Sequence, residues 1–126
     1  MKLEKGIYYI GDPGYIFGES WNEVLNQTDF FDSDDIQTLF GERCFAASSG
    51  GDGCLFDNKG RKYSVDSGTI GVMPISLIDI DKKVTLEKVE LSEGMHIVEF
   101  TEDFEIKSYY GSFTFGNITI SCNEDF

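Results

Sequence analysis

The sequence predicts a mainly β, α+β fold: a β-barrel or sandwich of short antiparallel strands, with two short helices in its N-terminal third. Three observations carry this. From Arg43 onward, short runs of β-branched and aromatic residues recur, separated by corners of Gly, Asp, Asn and Ser. Side chains alternate in character along several runs, as in Phe104, Ile106 and Ser108, then Phe113 and Phe115, then Ile118 and Ile120. Apolar residues at helical spacing occur before Gly41.

Taken in order, Ile7-Tyr8-Tyr9-Ile10 reads as a first strand ended by the Asp12-Pro13-Gly14 turn, resumed by Tyr15-Ile16-Phe17 and stopped at Gly18. Ser20 and Glu23 match a capping box, and Trp21, Val24 and Leu25 follow at i, i+3, i+4, which predicts a helix of two to three turns. Asp32 or Ser33 caps a second short helix carrying Ile36, Leu39 and Phe40, with Gly41 at its C-terminal stop. Arg43 to Ser48 is a strand, and Cys54–Phe56 with Lys62–Val65 form a hairpin around Asp57-Asn58-Lys59-Gly60. Further strands are expected at Thr69–Met73, Val84–Leu91, Met95–Phe100, Phe104–Tyr110, Phe113–Phe115 and Ile118–Ser121, with one helical turn at Ile75–Ile78. The two helices are expected to cover one opening or edge of the β structure. No linker or repeat interrupts residues 1–126, so a single domain is expected.

Gly50 to Pro74 is the stretch around which the chain is organised. Its corners, Gly51-Asp52-Gly53 and Asp66-Ser67-Gly68, repeat the chemistry of Gly11-Asp12-Pro13-Gly14. Asp12, Asp52 and Asp66 each end a strand beside glycine. Were they to converge, with Tyr15 and Tyr63 nearby, they would hold a divalent cation or cap a small polar molecule. Asp is also the commonest turn residue for reasons of local hydrogen bonding alone, and no corner has EF-hand spacing. For Asp57 the turn role is expected.

Charge is the outlier of the composition. The 126 residues hold 23 acids and 10 bases, a net charge of −13. That exceeds the roughly 2–8 charges that solubility asks of a small domain. Such a field repels nucleic acid and anionic membrane and favours basic surfaces. The acids are also segregated: Asp12, Glu19, Glu23, Asp29, Asp32, Asp34, Asp35 and Glu42 lie between Gly6 and Arg43, where there is no Lys or Arg. Carboxylates near helix N-termini account for some of them, and the lack of any base is left over. No apolar run is long enough to cross a membrane, and Met1 to Gly6 lacks the apolar core of a secretory signal. A cytoplasmic location is expected, in keeping with three cysteines at no metal-binding spacing.

Catalytic signatures are sparse. His96 is the sole histidine and sits in a β run, where a hydrogen-bonded strand residue is the expected role. Cys44, Cys54 and Cys122 flank apolar residues and read as core hydrophobes. Tyr8, Tyr9, Tyr109, Tyr110, Phe113 and Phe115 either line a pocket or fill the core. No GxSxG, P-loop or HExxH occurs, so neither an enzyme nor a cofactor is expected.

The pattern Tyr9-Ile10-Gly11-Asp12-Pro13-Gly14-Tyr15, Gly51-Asp52-Gly53, Asp57, Gly60, Tyr63 and Val65-Asp66-Ser67-Gly68-Thr69-Ile70-Gly71 resembles an uncharacterised family of small proteins from bacteria and their phages. A cysteine often stands in that family where this chain has Gly14, and any role of that cysteine would be missing here. The resemblance implies a compact β-rich fold in a bacterial or phage setting and brings no activity with it. Together these readings lead to a non-enzymatic interaction or inhibitor protein. Its acidic residues Glu19, Glu23, Asp29, Asp32, Asp34 and Asp35 would occupy the basic, nucleic-acid-binding surface of a partner such as a nuclease. The alternative is a β domain that binds a small molecule or divalent cation through Asp12, Asp52 and Asp66.

Overall fold

The computed structural model describes residues 1–28, 35–49, 53–80, 86–90, 92–109 and 112–121. Its strands are β1 (Lys2–Leu3), β2 (Gly6–Gly11), β3 (Gln37–Leu39), β4 (Glu42–Ser48), β5 (Gly53–Asp57), β6 (Lys62–Val65), β7 (Thr69–Pro74), β8 (His96–Phe100), β9 (Phe104–Tyr109), β10 (Ser112–Phe115) and β11 (Ile118–Ser121). The helices are α1 (Gly14–Phe17), α2 (Trp21–Thr28) and α3 (Leu86–Glu90), with 3-10 segments at Gly18–Ser20 and Ile75–Ile80. Among the described residues all strand pairings are antiparallel, and they build two sheets, β1-β9-β10-β11-β5-β6 and β3-β4-β7-β2-β8. The mainly β, α+β class expected from the sequence is the class observed.

Strand alternation decides how the layers stack. Tyr8, Ile10, Phe45, Ala47, Ile70 and Val72 point from the five-stranded sheet into a core shared with Tyr63, Ile106, Phe113, Phe115, Ile118 and Ile120 of the six-stranded sheet. Tyr9, Leu39, Cys44, Ala46 and Met73 point the other way, onto Ile16, Phe17, Val24, Leu77, Ile78 and Val89. The five-stranded sheet is therefore buried on both faces. That is why β7 shows an unbroken buried run, Ile70 to Met73, instead of alternation. The helices cover a face of this sheet, not an opening or edge.

Three local expectations are corrected. Tyr15-Ile16-Phe17 is helix, not strand: Pro13 sits at φ −64° and ψ −21°, and the Tyr15 and Ile16 amides donate to the carbonyls of Asp12 and Pro13. With the 3-10 turn and α2 it forms one helical stretch over residues 14–28. Ile36, Leu39 and Phe40 do not form a helix. Gln37–Leu39 pairs with Glu42–Cys44, and Phe40 (φ 49°) and Gly41 (φ 83°) make the two-residue connection. Gly41 thus ends a strand, where a helix stop was expected. The strand expected over Val84–Leu91 is replaced in its described part by α3, whose Leu, Glu and Lys favour helix and whose Val89 is buried.

One side of the sandwich is stitched between the edge strands β6 and β8. The Ser64 amide donates to the Gly94 carbonyl (2.9 Å), and His96 Nε2 lies 2.7 Å from the Lys62 carbonyl. Gly94 permits this approach, because a Cβ there would lie 2.5 Å from Ser64 Oγ and 2.7 Å from Ser64 Cβ. Gly94→Ala is expected to destabilise the fold by about 1–3 kcal/mol through overpacking. Urea unfolding checks this, and an unchanged midpoint would mean that the two edges part without cost.

Candidate functional site

The corners at Asp12 and Asp66 do come together. Asp12 is completely buried. Its Oδ2 accepts the amides of Asp66 (2.7 Å) and Ser67 (2.7 Å). Its Oδ1 accepts the amide of Gly14 (2.8 Å) and the hydroxyl of Ser67 (2.6 Å). Tyr9 donates its hydroxyl to the Asp12 carbonyl at 2.6 Å. A carboxylate has about four lone-pair sites, and these four donors fill them. The side chain that would have led a cation site is thus spent on joining the end of β2 and the start of α1 to the β6–β7 corner.

Tyr15 donates to Asp66 Oδ2 at 2.6 Å across the outside of the same corner. Burial and this bond raise the Tyr15 hydroxyl above its ordinary pKa, so it stays a donor. Asp66 itself is exposed. Asp52 lies outside the described residues, as do Asp29, Asp32, Asp34, Tyr110 and Cys122. Among the described residues, no three His, Cys, Asp or Glu side chains are grouped so as to hold a metal ion.

Tyr63 belongs to a different cluster, which corrects its placement with Asp12 and Asp66. Its hydroxyl donates to Asp57 Oδ2 at 2.7 Å, and Arg61 Nε reaches the same oxygen at 2.8 Å. The amides of Lys59 (2.8 Å) and Arg61 (2.9 Å) donate to Asp57 Oδ1. Asp57 therefore closes the β5–β6 hairpin as the turn residue expected from the sequence. Burial opposes its charged form, but the Tyr63 hydroxyl and the donors of Arg61 and Lys59 outweigh it and lower its pKa. Asp12, Gly14, Tyr15, Asp66 and Ser67 thus meet in one clamp, and Asp57 and Tyr63 in the other.

The acidic candidates behave differently. In α2, Val24 and Thr28 are buried while Asn22, Glu23, Asn26 and Gln27 are exposed, so one side is sealed and the other carries charge outward. Glu23 accepts the Gln27 side-chain amide at 3.0 Å, and Gln27 Oε1 accepts the Phe40 amide at 2.9 Å. This relay ties the helix to the β3–β4 turn. Glu19, just ahead of α2, and Asp35 are also exposed.

A second acidic group went unnoticed in the sequence. Glu99, Glu102, Asp103 and Glu105 surround a cleft of about 380 Å³ at the β8–β9 turn, floored by Phe100 and Phe104 with ring centroids 3.7 Å apart. The signal was present as four acids and no base within residues 99–105.

The remaining candidates are structural. His96 packs edge-to-face on Tyr63 at 4.7 Å besides its bond to Lys62. Tyr8, Tyr9, Phe113 and Phe115 are core residues. Cys44 is buried, and burial pushes its thiol up to about 12, which leaves it unreactive at neutral pH. Cys54 is exposed on β5, contrary to the core role expected of it.

Two outcomes follow from the clamps. Asp12→Ala orphans three backbone amides and should cost about 3 kcal/mol or more in urea unfolding, whereas Asp66→Asn should stay within about 0.5 kcal/mol. Equal effects would show that Asp12 is not the joint. Because the Asp57 pKa is lower in the folded than in the unfolded chain, its stabilisation is complete above the unfolded value of about 3.9 and is lost as pH falls through the folded value. Asp57→Asn should therefore flatten the fall in stability below about pH 4, as measured by unfolding at several pH values. No protein-family model, curated protein or solved structure matches this chain.

Proposed function

We propose that this protein is a small, non-enzymatic interaction protein whose acidic helical layer occupies a basic, nucleic-acid-binding surface of a protein partner. One observation carries the reading. Between Gly6 and Arg43 the chain has eight acids and no base, and Glu19 and Glu23 stand exposed beside and on a helix whose other side is locked into the core. Carboxylates held on a rigid element can take the place of phosphates, making charge-assisted bonds to Arg and Lys. Long-range attraction would speed the encounter with such a groove, while nucleic acid itself is repelled. A phage-borne inhibitor of a host defence nuclease, of the anti-CRISPR kind, or an immunity protein against a nuclease toxin has this chemistry, and both work in the bacterial cytoplasm.

The reading requires affinity for a basic target to fall steeply with salt and to depend on where charge is removed. Binding to an arginine–serine repeat peptide should weaken at least tenfold between about 50 and 200 mM salt. Glu19→Lys and Glu23→Lys should each weaken it several-fold. Glu105→Lys, on the outward face of the other sheet, should change it less than twofold. Flat salt dependence, or equal loss from all three reversals, overturns the helical face as the contact.

A further inference from the structure

The two-residue turn between β3 and β4 holds a side chain that its backbone disfavours. Phe40 and Gly41 both have positive φ, 49° and 83°, and Leu39 and Glu42 pair directly across them. Asn-Gly is the preferred sequence for such a turn, and a bulky residue is uncommon there. The core does not consume the ring in return. It leans on the fully buried Phe17, with centroids 6.3 Å apart and 37° between the planes, and Phe40 remains 37% exposed. The backbone beneath it is pinned to the acidic helix. The Phe40 amide donates to Gln27 Oε1 at 2.9 Å, and the Gln27 side-chain amide donates to Glu23 at 3.0 Å. An exposed aromatic ring, kept in a strained conformation beside the acidic helix, calls for a use outside the chain.

On this side of the sheet the charge is negative. Exposed Glu23 belongs to the relay, and exposed Glu42 shares a strand face with Cys44, which packs under the helices. Arg43 faces the other way, with Phe45, and its Nη2 reaches the Lys2 carbonyl at 3.3 Å. Lys5 and Arg43 line a cleft that includes Gly41 and Glu42, but Phe40, Gln27 and Glu23 are not among its walls. We infer that the Phe40 ring seats an arginine side chain of the protein partner, whose charge is met by the carboxylates of Glu23 and Glu42. The inference rests on the reading just proposed and deepens it, by naming the side chain that the acidic layer selects. A guanidinium is planar, stacks on aromatic rings and is more weakly hydrated than an ammonium, so a ring beside carboxylates favours Arg over Lys. A second copy of this chain is a poor source of that group. Its two arginines are already engaged, Arg61 with Asp57 and Arg43 with the Lys2 carbonyl.

The test compares two short probes of equal length and charge, an arginine–serine peptide and its lysine–serine counterpart, titrated into the full chain at low salt. The arginine peptide should bind about fivefold more tightly, the gain expected of a cation–π contact at an exposed ring. It should also shift the backbone amide resonances of Phe40 and Gly41. Phe40→Asn, which suits the turn, should bring the two affinities together by weakening the arginine peptide alone. Phe40→Leu keeps the bulk and the backbone strain but removes the π face, and carries the same expectation should the Asn variant fold poorly. Equal affinity of the native chain for the two peptides, or a preference that survives both substitutions, overturns this inference alone. Failure of both peptides to bind overturns the parent reading with it. A chain that sediments as a dimer and dissociates on Phe40→Asn would put a second copy on the ring and also overturn the proposal.

Discussion

One buried carboxylate fixes the geometry on which the layers depend. The four donors to Asp12 come from two places in the chain: Gly14 at the start of α1, and the Asp66 amide with the Ser67 amide and hydroxyl at the β6–β7 corner. Through them the inner strand of one sheet, the first helix above it and the turn leaving the other sheet share an anchor. A buried charge is tolerated only when its bonding capacity is met, and here it is met by short donors, most of them backbone amides. The side chain also has to be short. Glutamate would move the oxygens by a methylene and lose the simultaneous fit to Gly14, two amides away, and to the distant corner. Because α1 begins at this anchor, Ile16 and Phe17 fall onto Tyr9 and Met73, and the sheet acquires its second buried face.

The strands were legible where one physical signal acted alone. From Phe104 to Ser121 alternation and turn residues agreed, and the structure has β9, β10 and β11 there. The hairpin around Asp57 was legible because Asp and Gly stood where its turn chemistry required them. Errors arose where a short window satisfied two patterns. Ile36, Leu39 and Phe40 fit a helix by spacing, yet pairing with β4 satisfies their backbone and buries Leu39 in strand conformation. Tyr15 to Phe17 looks β by composition, and Pro13 with the Asp12 anchor turns it into helix. Neither anchor nor pairing partner lies within the window that a local reading sees.

The site was legible in a different sense. An aspartate beside glycine looks the same in sequence whether its oxygens face a ligand or the chain's own amides. Only the location of the donors separates the two, and for Asp12 one set of donors lies 54 and 55 residues away. Tyr63 illustrates the same limit: it stands close in sequence to Asp66, but its hydroxyl reaches back to Asp57. The acidity of the helical third needed no long-range information, since a count of charges along the chain reveals it. The exposure of Ile7 could not be seen from sequence, because its strand reads as uniformly apolar.

What the fold consumes and what it leaves over point to the same division of labour. Asp12 and Asp57 are the buried acids among the described residues, and each is saturated by the chain's own donors. Every other acid whose side chain is described is exposed. A net charge of −13 on a domain of this size works against its own compactness through self-repulsion. The two clamps and the doubly covered sheet supply stability against that repulsion, and a few surface carboxylates add ties of their own, Glu23 to Gln27 and Asp66 to Tyr15. On the function proposed above, the remaining exposed charge would be met by a partner surface of the opposite sign.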